Sequence, residues 1–453
     1  MFDVSRANFS CKHQREMHLV EDHVLRQERF AFHNCAPNEL DSLMRRHVIP
    51  QVSPSQEYIR FADKELRALW RSIGAPRLSP LDDESLLSTR SRHVQRRWKR
   101  IAEEAATRPF SPKEALVKAF IKYEKYGLEH LDINKPPRAI QARGPLFTFR
   151  LAKYLVPIEH RMWNWKPKWN HGLRVFAKGR NAAERAYDLL KLSQVYGSAT
   201  AMIGIDHSKF DSRVHVEHLK ISHRFNARFY RGQDGRDLSR LMRCQLKNKC
   251  VTENGIFYVV EGRRMSGDID TAKGNCEINL TVLRYILRGL RGAIYLDGDD
   301  SVVACHPDDV DEVVRRVKSG AGTGMQSTVE VFDRFSKVEF CQARPIYTNG
   351  KWMMMRNPVK AISNMCLMMK LPEEGVATRL ATIGEGELHA SSGCPTIYPF
   401  AKKLRRHGNV DEAYFEYRHK LNRDLVPKEP DHEAEASAWD AWDLPPYYNR
   451  LSV

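Results

Sequence analysis

The stretch AIYLDGDDSVVAC, residues 293 to 305, limits the fold more than any other part of the chain. Two apolar runs flank Asp297, Gly298, Asp299 and Asp300, the pattern of a β-hairpin whose arms are Ala293 to Leu296 and Ser301 to Cys305. Carboxylates crowded onto one turn repel one another. Burying or half-burying one costs free energy unless a cation or a hydrogen-bond donor compensates it. The hairpin therefore ends either in a solvated turn or in a site that holds something positive.

A second carboxylate pair has a similar setting. Residues 200 to 205, TAMIGI, read as a buried strand ending at Asp206, with Asp211 five residues on in IDHSKFD. Val214, His218, Ile221 and Phe225 then recur at helical spacing, giving strand, turn and helix. Another helix follows RRMSGDIDTAKGN, with Ile278, Val282, Ile286 and Leu290 on one stripe, and a further one, DDVDEVVRRVKSG, ends at Gly320. If the strand of Asp206 lies beside the hairpin, the carboxylates converge. Two Mg²⁺ ions about 4 Å apart would then neutralise them and activate an in-line phosphoryl displacement.

The 453 residues, 42% of them hydrophobic, suit a globular chain with more than one core. Lys plus Arg number 73 against 56 Asp plus Glu, and the net charge of +17 makes a polyanion, nucleic acid first, the leading partner class. No run approaches the roughly 18 apolar residues of a membrane span, and MFDVSRANFS lacks a signal peptide's apolar core, so a soluble, intracellular chain is expected. The nine cysteines form no CxxC pair, which suits reduced thiols. Cys11 with His13, and Cys244 with Cys250, come nearest to metal-ligand pairs. Neither shows a matching second pair at zinc spacing, so no structural zinc is expected.

Residues 1 to 94 read as a polar N-terminal extension of weak periodicity, with a linker at GAPRLSPLDDES. SRHVQRRWKR sets five arginines or lysines beside Trp98, either a nucleic-acid contact or a solvated helix face. Ile121 and Tyr123 alternate with Lys122 and Glu124 as in a half-exposed strand. Lys122, Lys125, Lys135, Arg138 and Arg143 crowd a turn-rich segment that could grip phosphates or form an ordinary basic loop. His218 falls on an apolar stripe and reads as a core histidine. The methionines of KWMMMRNP and NMCLMMK read as helical packing. The acidic, aromatic residues 431 to 453 read as a flexible or docking tail.

The order ID(x4)D, SG(x3)T(x3)N and GDD, at Ile205 to Asp211, Ser266 to Asn275 and Gly298 to Asp300, resembles the palm motifs of viral RNA-dependent RNA polymerases. The likeness is closest to the tombusvirus and carmovirus group of plus-strand RNA viruses. VKAFIKYEK and KPPRAIQARGPLFTFRLAKYL resemble that group's basic fingers motif, VEFCQARPIY its FCQ motif, and RNPVKAISN and ATIGEGELHASSGCP its thumb, covering roughly residues 95 to 405.

The resemblance implies an α+β right-hand polymerase fold, with an antiparallel palm sheet flanked by helices. Fingers would occupy 95–199, the palm with an inserted fingers segment 200–345, and the thumb 346–430. It implies RNA-directed RNA polymerisation from NTPs during replication of a plus-strand RNA virus genome. Asp206 and Asp299 would bind two Mg²⁺ ions, with Mn²⁺ as an alternative, and Asp300 would assist. Asp211 and Asn275, with Ser266 and Thr271 shaping the turn, would recognise the NTP ribose. Lys122, Lys125, Arg138 and Arg143 would hold the triphosphate, and Cys341 and Gln342 would mark the hairpin supporting the product 3′ end. Partners would be RNA template and product, and a viral membrane-anchoring accessory protein that brings the chain to a membrane-bound replication complex in the host cytoplasm. Two departures stand out. Relatives usually carry an uncharged residue at Asp297, and Lys337 matches poorly the lysine that often protonates pyrophosphate. The rival readings are a reverse transcriptase, which would exclude the 2′-hydroxyl with a bulky side chain near Asp211, and a non-catalytic basic RNA-binding protein.

Overall fold

Four antiparallel strands build one sheet in the order Gly292–Asp297, Asp300–Cys305, Ala201–His207 and Ser327–Phe332. The structure, a computed structural model, describes residues 2–11, 13–419, 422 and 424–445. The acidic hairpin forms as its sequence predicts, with Ala293 opposite Ala304 and Asp297 opposite Asp300. Its second arm pairs with the strand of Asp206, Ser301 facing Ile205. Gly298 turns the hairpin at φ +71°, a left-handed backbone that glycine adopts without penalty.

Side chains alternate across this sheet, so each strand feeds two cores. Ile203, Ile205, Ile294, Leu296, Val303 and Cys305 face one core, shared with Ile221 and Phe225 of helix Val216–Ala227 and Ile278 and Val282 of helix Thr271–Ile286. Met202, Tyr295, Val302 and Ala304 face the other, with Ala186, Leu189 and Leu192 of helix Ala182–Leu192. Coverage on both faces explains why the arms are unbroken apolar runs. Each fully buried valine, isoleucine or leucine here contributes about 1.5–3 kcal/mol, so a register slip is strongly opposed. At Gly204 a Cβ would lie 2.8 Å from the Phe332 ring, so any side chain there would have to displace that ring.

A second sheet has five strands, ordered Phe2–Asp3, Phe257–Glu261, Lys247–Thr252, Val117–Ile121 and Ala139–Arg143. Only Val117–Ile121 against Lys247–Thr252 runs parallel. A third core gathers Met353, Met355, Met365 and Met368 with Leu380, Ile397 and Phe400, so these methionines are packing residues, but Met353 and Met355 enter the core from strand Lys351–Arg356 and Met368 from strand Leu367–Met368, not from helices.

Several expectations are corrected. The first 94 residues are woven into the body of the protein. Phe2–Asp3 is a sheet strand, and helix Gln56–Ser72 is capped by Ser55, buries Tyr58, Ala62, Leu66 and Leu69, and bonds Thr281 through the Tyr58 hydroxyl at 2.8 Å. The tail is not loose over 432–442: helix His432–Trp442, capped by Asp431, buries Ala434, Ala438 and Ala441. Residues 446–453 lie outside the described residues. The strand expected to alternate through Tyr123 and Glu124 ends at Ile121, and Tyr123 is exposed. Nor are all nine cysteines reduced. Cys11 and Cys35 form a disulfide, because antiparallel pairing of Gln14 with Phe32 sets residue 11 against residue 35. His218 is a core residue, its Nε2 donating to the Thr323 carbonyl at 2.9 Å, and burial pushes its pKa down to about 4.

Candidate active site

Register brings the acidic residues together. Because Ser301 pairs with Ile205, the next position sets Asp300 across from Asp206 on one sheet face, with Asp299 on the adjoining turn. Together with Asp211, they line a pocket of about 620 Å³. Burial, then the charges of Asp299 and Asp206, pushes the Asp300 carboxyl up to about 6. Asp211 is also pushed up to about 6, by burial first and by Asp299, against an opposing hydrogen bond from Asn275. Among the described residues no Lys, Arg or His nitrogen pairs ionically with Asp206, Asp299 or Asp300. Asp297 has two such partners, Lys178 Nζ and Arg185 Nη2, both at 2.6 Å. The third carboxylate of the turn, paired across the hairpin with Asp300, is thus the one of the three that protein cations neutralise.

Helix Thr271–Ile286 fixes both carboxylate sites from one face. Asn275 Nδ2 donates to Asp211 Oδ1 at 2.7 Å. One turn on, Asn279 Nδ2 donates to the carbonyls of Gly298 at 3.0 Å and Asp299 at 3.2 Å, and its Oδ1 meets His207 Nε2 at 2.9 Å. The Gly298 N–H donates to Cys276 Sγ at 3.1 Å. His207 reaches Ser327 Oγ at 2.6 Å with its other ring nitrogen. The hairpin turn and the Asp206 strand are therefore both tied to one buried helix. Thr271 Oγ1 donates to the Met265 and Asp268 carbonyls at 2.9 and 2.8 Å, and Ser266 Oγ to the Ala139 carbonyl at 3.2 Å, which shapes the turn ahead of that helix.

The pocket is lined by all the residues to which the resemblance assigns a role except Lys125, Arg143 and Cys341. Lys122 and Arg138 lie on its wall, each paired with Glu124, at 2.6 and 3.3 Å. Lys125 and Arg143 do not reach it. Lys125 Nζ donates to the Asn364 and Leu367 carbonyls, and burial brings its pKa down to about 8. Arg143, its side chain 1% exposed, pairs with Asp268 at 2.9 Å and donates to the Ala115 carbonyl at 2.7 Å and to Asn248. Its charge is consumed in holding the second sheet to the 266–271 turn. Cys341 lines an adjoining pocket with Asp206, Asp300 and Gln342, and both Cys341 and Gln342 have left-handed φ, +52° and +59°.

Sequence reasoning missed other cations of the pocket wall. Arg46 and Lys209 contribute, beside Lys135 of the basic cluster already read from the sequence. Arg46 lies in a segment read as an extension, so its position gave no signal. Asn279 was legible as the residue four beyond Asn275, and His207 as the neighbour of Asp206. Lys178 and Arg185 lie more than a hundred residues from Asp297, and no local pattern pairs them.

Crowded carboxylates on a strand and its neighbouring hairpin turn, beside a basic wall, define a site for phosphate chemistry. A family model described as viral RNA dependent RNA polymerase matches residues 4–451, and the chain belongs to that family. Among curated proteins it is similar to the RNA-directed RNA polymerase of turnip crinkle virus, 32% identical over 312 residues, 66% of this chain and 39% of that protein. It is 31% identical to that of carnation mottle virus over 70% of this chain and 42% of the relative. To that of groundnut rosette virus (strain MC1) it is 30% identical, over 73% of this chain and 39% of the relative. The matched region spans about two fifths of these relatives' length. The family match also takes in the N-terminal segment and helix His432–Trp442, beyond the 95–405 of the motif resemblance.

Proposed function

We infer that the chain is an RNA-directed RNA polymerase that adds ribonucleotides from NTPs to an RNA 3′ end during replication of a plus-strand RNA virus genome. The observation that carries this reading is the opposition of Asp206 and Asp300, with Asp299 beside them and the Asn275–Asp211 pair on the same pocket wall. On this reading the four-stranded sheet with its two helices is the palm, the five-stranded sheet belongs to the fingers, and the methionine-rich core belongs to the thumb.

Divalent cations fit the site: three carboxylates converge with no ion-pair partner among the described residues, and burial, then its like-charged neighbours, pushes Asp300 up. Asp206 and Asp299 would hold Mg²⁺, or Mn²⁺, with Asp300 at the edge. When bound, the ions supply the charge neutralisation that an in-line displacement on the α-phosphorus requires. The protein's own groups do the rest. Lys122 and Arg138, with Arg46, Lys135 and Lys209, offer positive charge to the triphosphate and to departing pyrophosphate. Asp211, held by Asn275, accepts a hydrogen bond from the ribose 2′-hydroxyl, and a site built to pair that hydroxyl rejects deoxyribonucleotides. This arrangement favours the RNA polymerase over a reverse transcriptase, which needs bulk there. A merely RNA-binding protein would have no use for the buried network that fixes the acidic turn. Gln342, bonded by Lys360 Nζ, is assigned with Cys341 to support of the product end.

The proposal includes action at a membrane-bound complex in the host cytoplasm, reached through a viral membrane-anchoring protein. Among the described residues no helix is long and apolar enough to cross a membrane. The test of the activity is labelled-nucleotide incorporation on an RNA template with Mg²⁺, comparing the unmodified chain with Asp299→Ala and ribo- with deoxyribonucleotides. Ribonucleotide incorporation that Asp299→Ala abolishes supports the reading; equal incorporation by the variant overturns it.

A further inference from the structure

Outside the pocket, one cluster of potential metal ligands among the described residues remains unexplained. Cys11, His33 and Cys35 bring their ligand atoms within 4.8 Å of one another. The backbone accounts for this meeting. Gln14 pairs antiparallel with Phe32, the His33 N–H donates to the His13 carbonyl at 2.9 Å, and Cys11 and Cys35 stand 5.7 Å apart at Cα. Buried Asn38 locks the pair of segments, its Nδ2 donating to the carbonyls of His13 at 2.8 Å and His33 at 2.9 Å. Read along this ladder, the sequence is a mirrored motif, Cys-x-His at 11–13 against His-x-Cys at 33–35. A search for CxxC pairs overlooks it.

We propose that Cys11, His33 and Cys35, completed by His13, form a structural zinc site in the reduced protein. A tetrahedral Zn²⁺ about 2.3 Å from sulfur and about 2.0 Å from nitrogen holds ligand atoms roughly 3.5–3.8 Å apart, within the spread of this cluster. The His13 N–H already donates to Cys11 Sγ at 2.9 Å, a contact that favours a thiolate there. His13 itself is exposed, so its ring is free to turn onto the ion. The disulfide seen in the structure is the metal-free, oxidised form. Reduction by a dithiol, which closes to its own disulfide, returns two thiols, and Zn²⁺ binding then displaces their two protons.

The site has a structural job. Asn34, between His33 and Cys35, accepts from the Ile121 N–H at 2.8 Å through Oδ1, donates to Glu253 at 2.6 Å, and accepts from Asn254 at its carbonyl. Zinc would thus pin the N-terminal segment to the sheet end from which Lys122 projects.

The test is zinc content by mass spectrometry after purification and dialysis in the presence of a phosphine reductant, for the unmodified full chain, Cys35→Ser and His33→Ala. One zinc per chain, falling at least tenfold in both variants, is expected. Replacement of zinc by Co²⁺ in the unmodified chain should add the near-ultraviolet thiolate-to-cobalt band and the strong visible bands of a tetrahedral site. This second measurement does not depend on how the variants fold. Zinc below a tenth of an equivalent and no cobalt spectrum would overturn the proposal and leave a simple disulfide, as would zinc retained in Cys35→Ser.

Discussion

Replacing Asp297 separates a structural carboxylate from the proposed metal-binding carboxylates within a single hairpin turn. Its side chain is 8% exposed and lies 2.6 Å from both Lys178 and Arg185, themselves 33% and 20% exposed. Breaking a fully buried pair costs about 3–5 kcal/mol and an exposed one about 0–1, so Asp297→Ala, which strands two half-buried cations, should cost about 2–3 kcal/mol. The loss falls on the hairpin that these contacts brace. Hydrogen exchange of amides 296–301, where opening follows local stability, should accelerate about 30- to 150-fold by the rule of tenfold per 1.4 kcal/mol. The Mg²⁺ concentration for half-maximal nucleotide incorporation should change little, whereas Asp299→Asn should raise it at least tenfold. If Asp297→Ala left hairpin exchange unchanged and shifted the Mg²⁺ dependence like Asp299→Asn, Asp297 would belong to the metal cluster and the assignment of roles in the turn would fail.

Three further outcomes follow from the same geometry. Arg138→Ala should raise the KM for NTPs severalfold with unchanged melting, while Arg143→Met should destabilise by about 3–5 kcal/mol through uncompensated Asp268, read in a denaturant titration. Asn275→Ala should lower the ribo- to deoxyribonucleotide preference about ten- to a hundredfold in competition assays, since one hydrogen bond to a charged group is worth about 1.5–3 kcal/mol. Asp211 and Asp300 have folded pKa values near 6, above the unfolded 3.8, so the fold binds more protons than the unfolded chain between these values. Their ionisation therefore opposes folding above about pH 6, and the penalty is relieved as pH falls through 6. In metal-free protein Asp300→Asn should therefore be more stable than the unmodified chain at pH 7.5, with the difference shrinking towards pH 5 in thermal melts, and incorporation by the unmodified chain should decline over the same range.

The hairpin, the strand of Asp206 and the helices after each were legible because period-two and period-3.6 patterns are local. The pairing that makes them a site was legible only through three motifs in order. Arg143 and Lys125 show why the basic cluster was harder to read. Both look like phosphate ligands in sequence, yet one is enclosed by Asp268, Ala115 and Asn248 and the other by carbonyls at 364 and 367, contacts that span from 28 to more than two hundred residues. Asp297 was a puzzle for the same reason, its cations lying on a distant segment and helix. The first 94 residues misled because helix Gln56–Ser72 spends its short apolar stripe on a core assembled from elsewhere. The mirrored Cys-x-His pattern was present in the sequence but emerges only when residues 11–15 are laid antiparallel to 31–35.

The most direct test is single-nucleotide addition to a self-priming RNA hairpin of defined template base, with Mg²⁺ and one NTP at a time. The account predicts addition of the complementary ribonucleotide alone, reduced at least a thousandfold by Asp206→Ala. Addition without regard to the template base, or undiminished addition by Asp206→Ala, would contradict it.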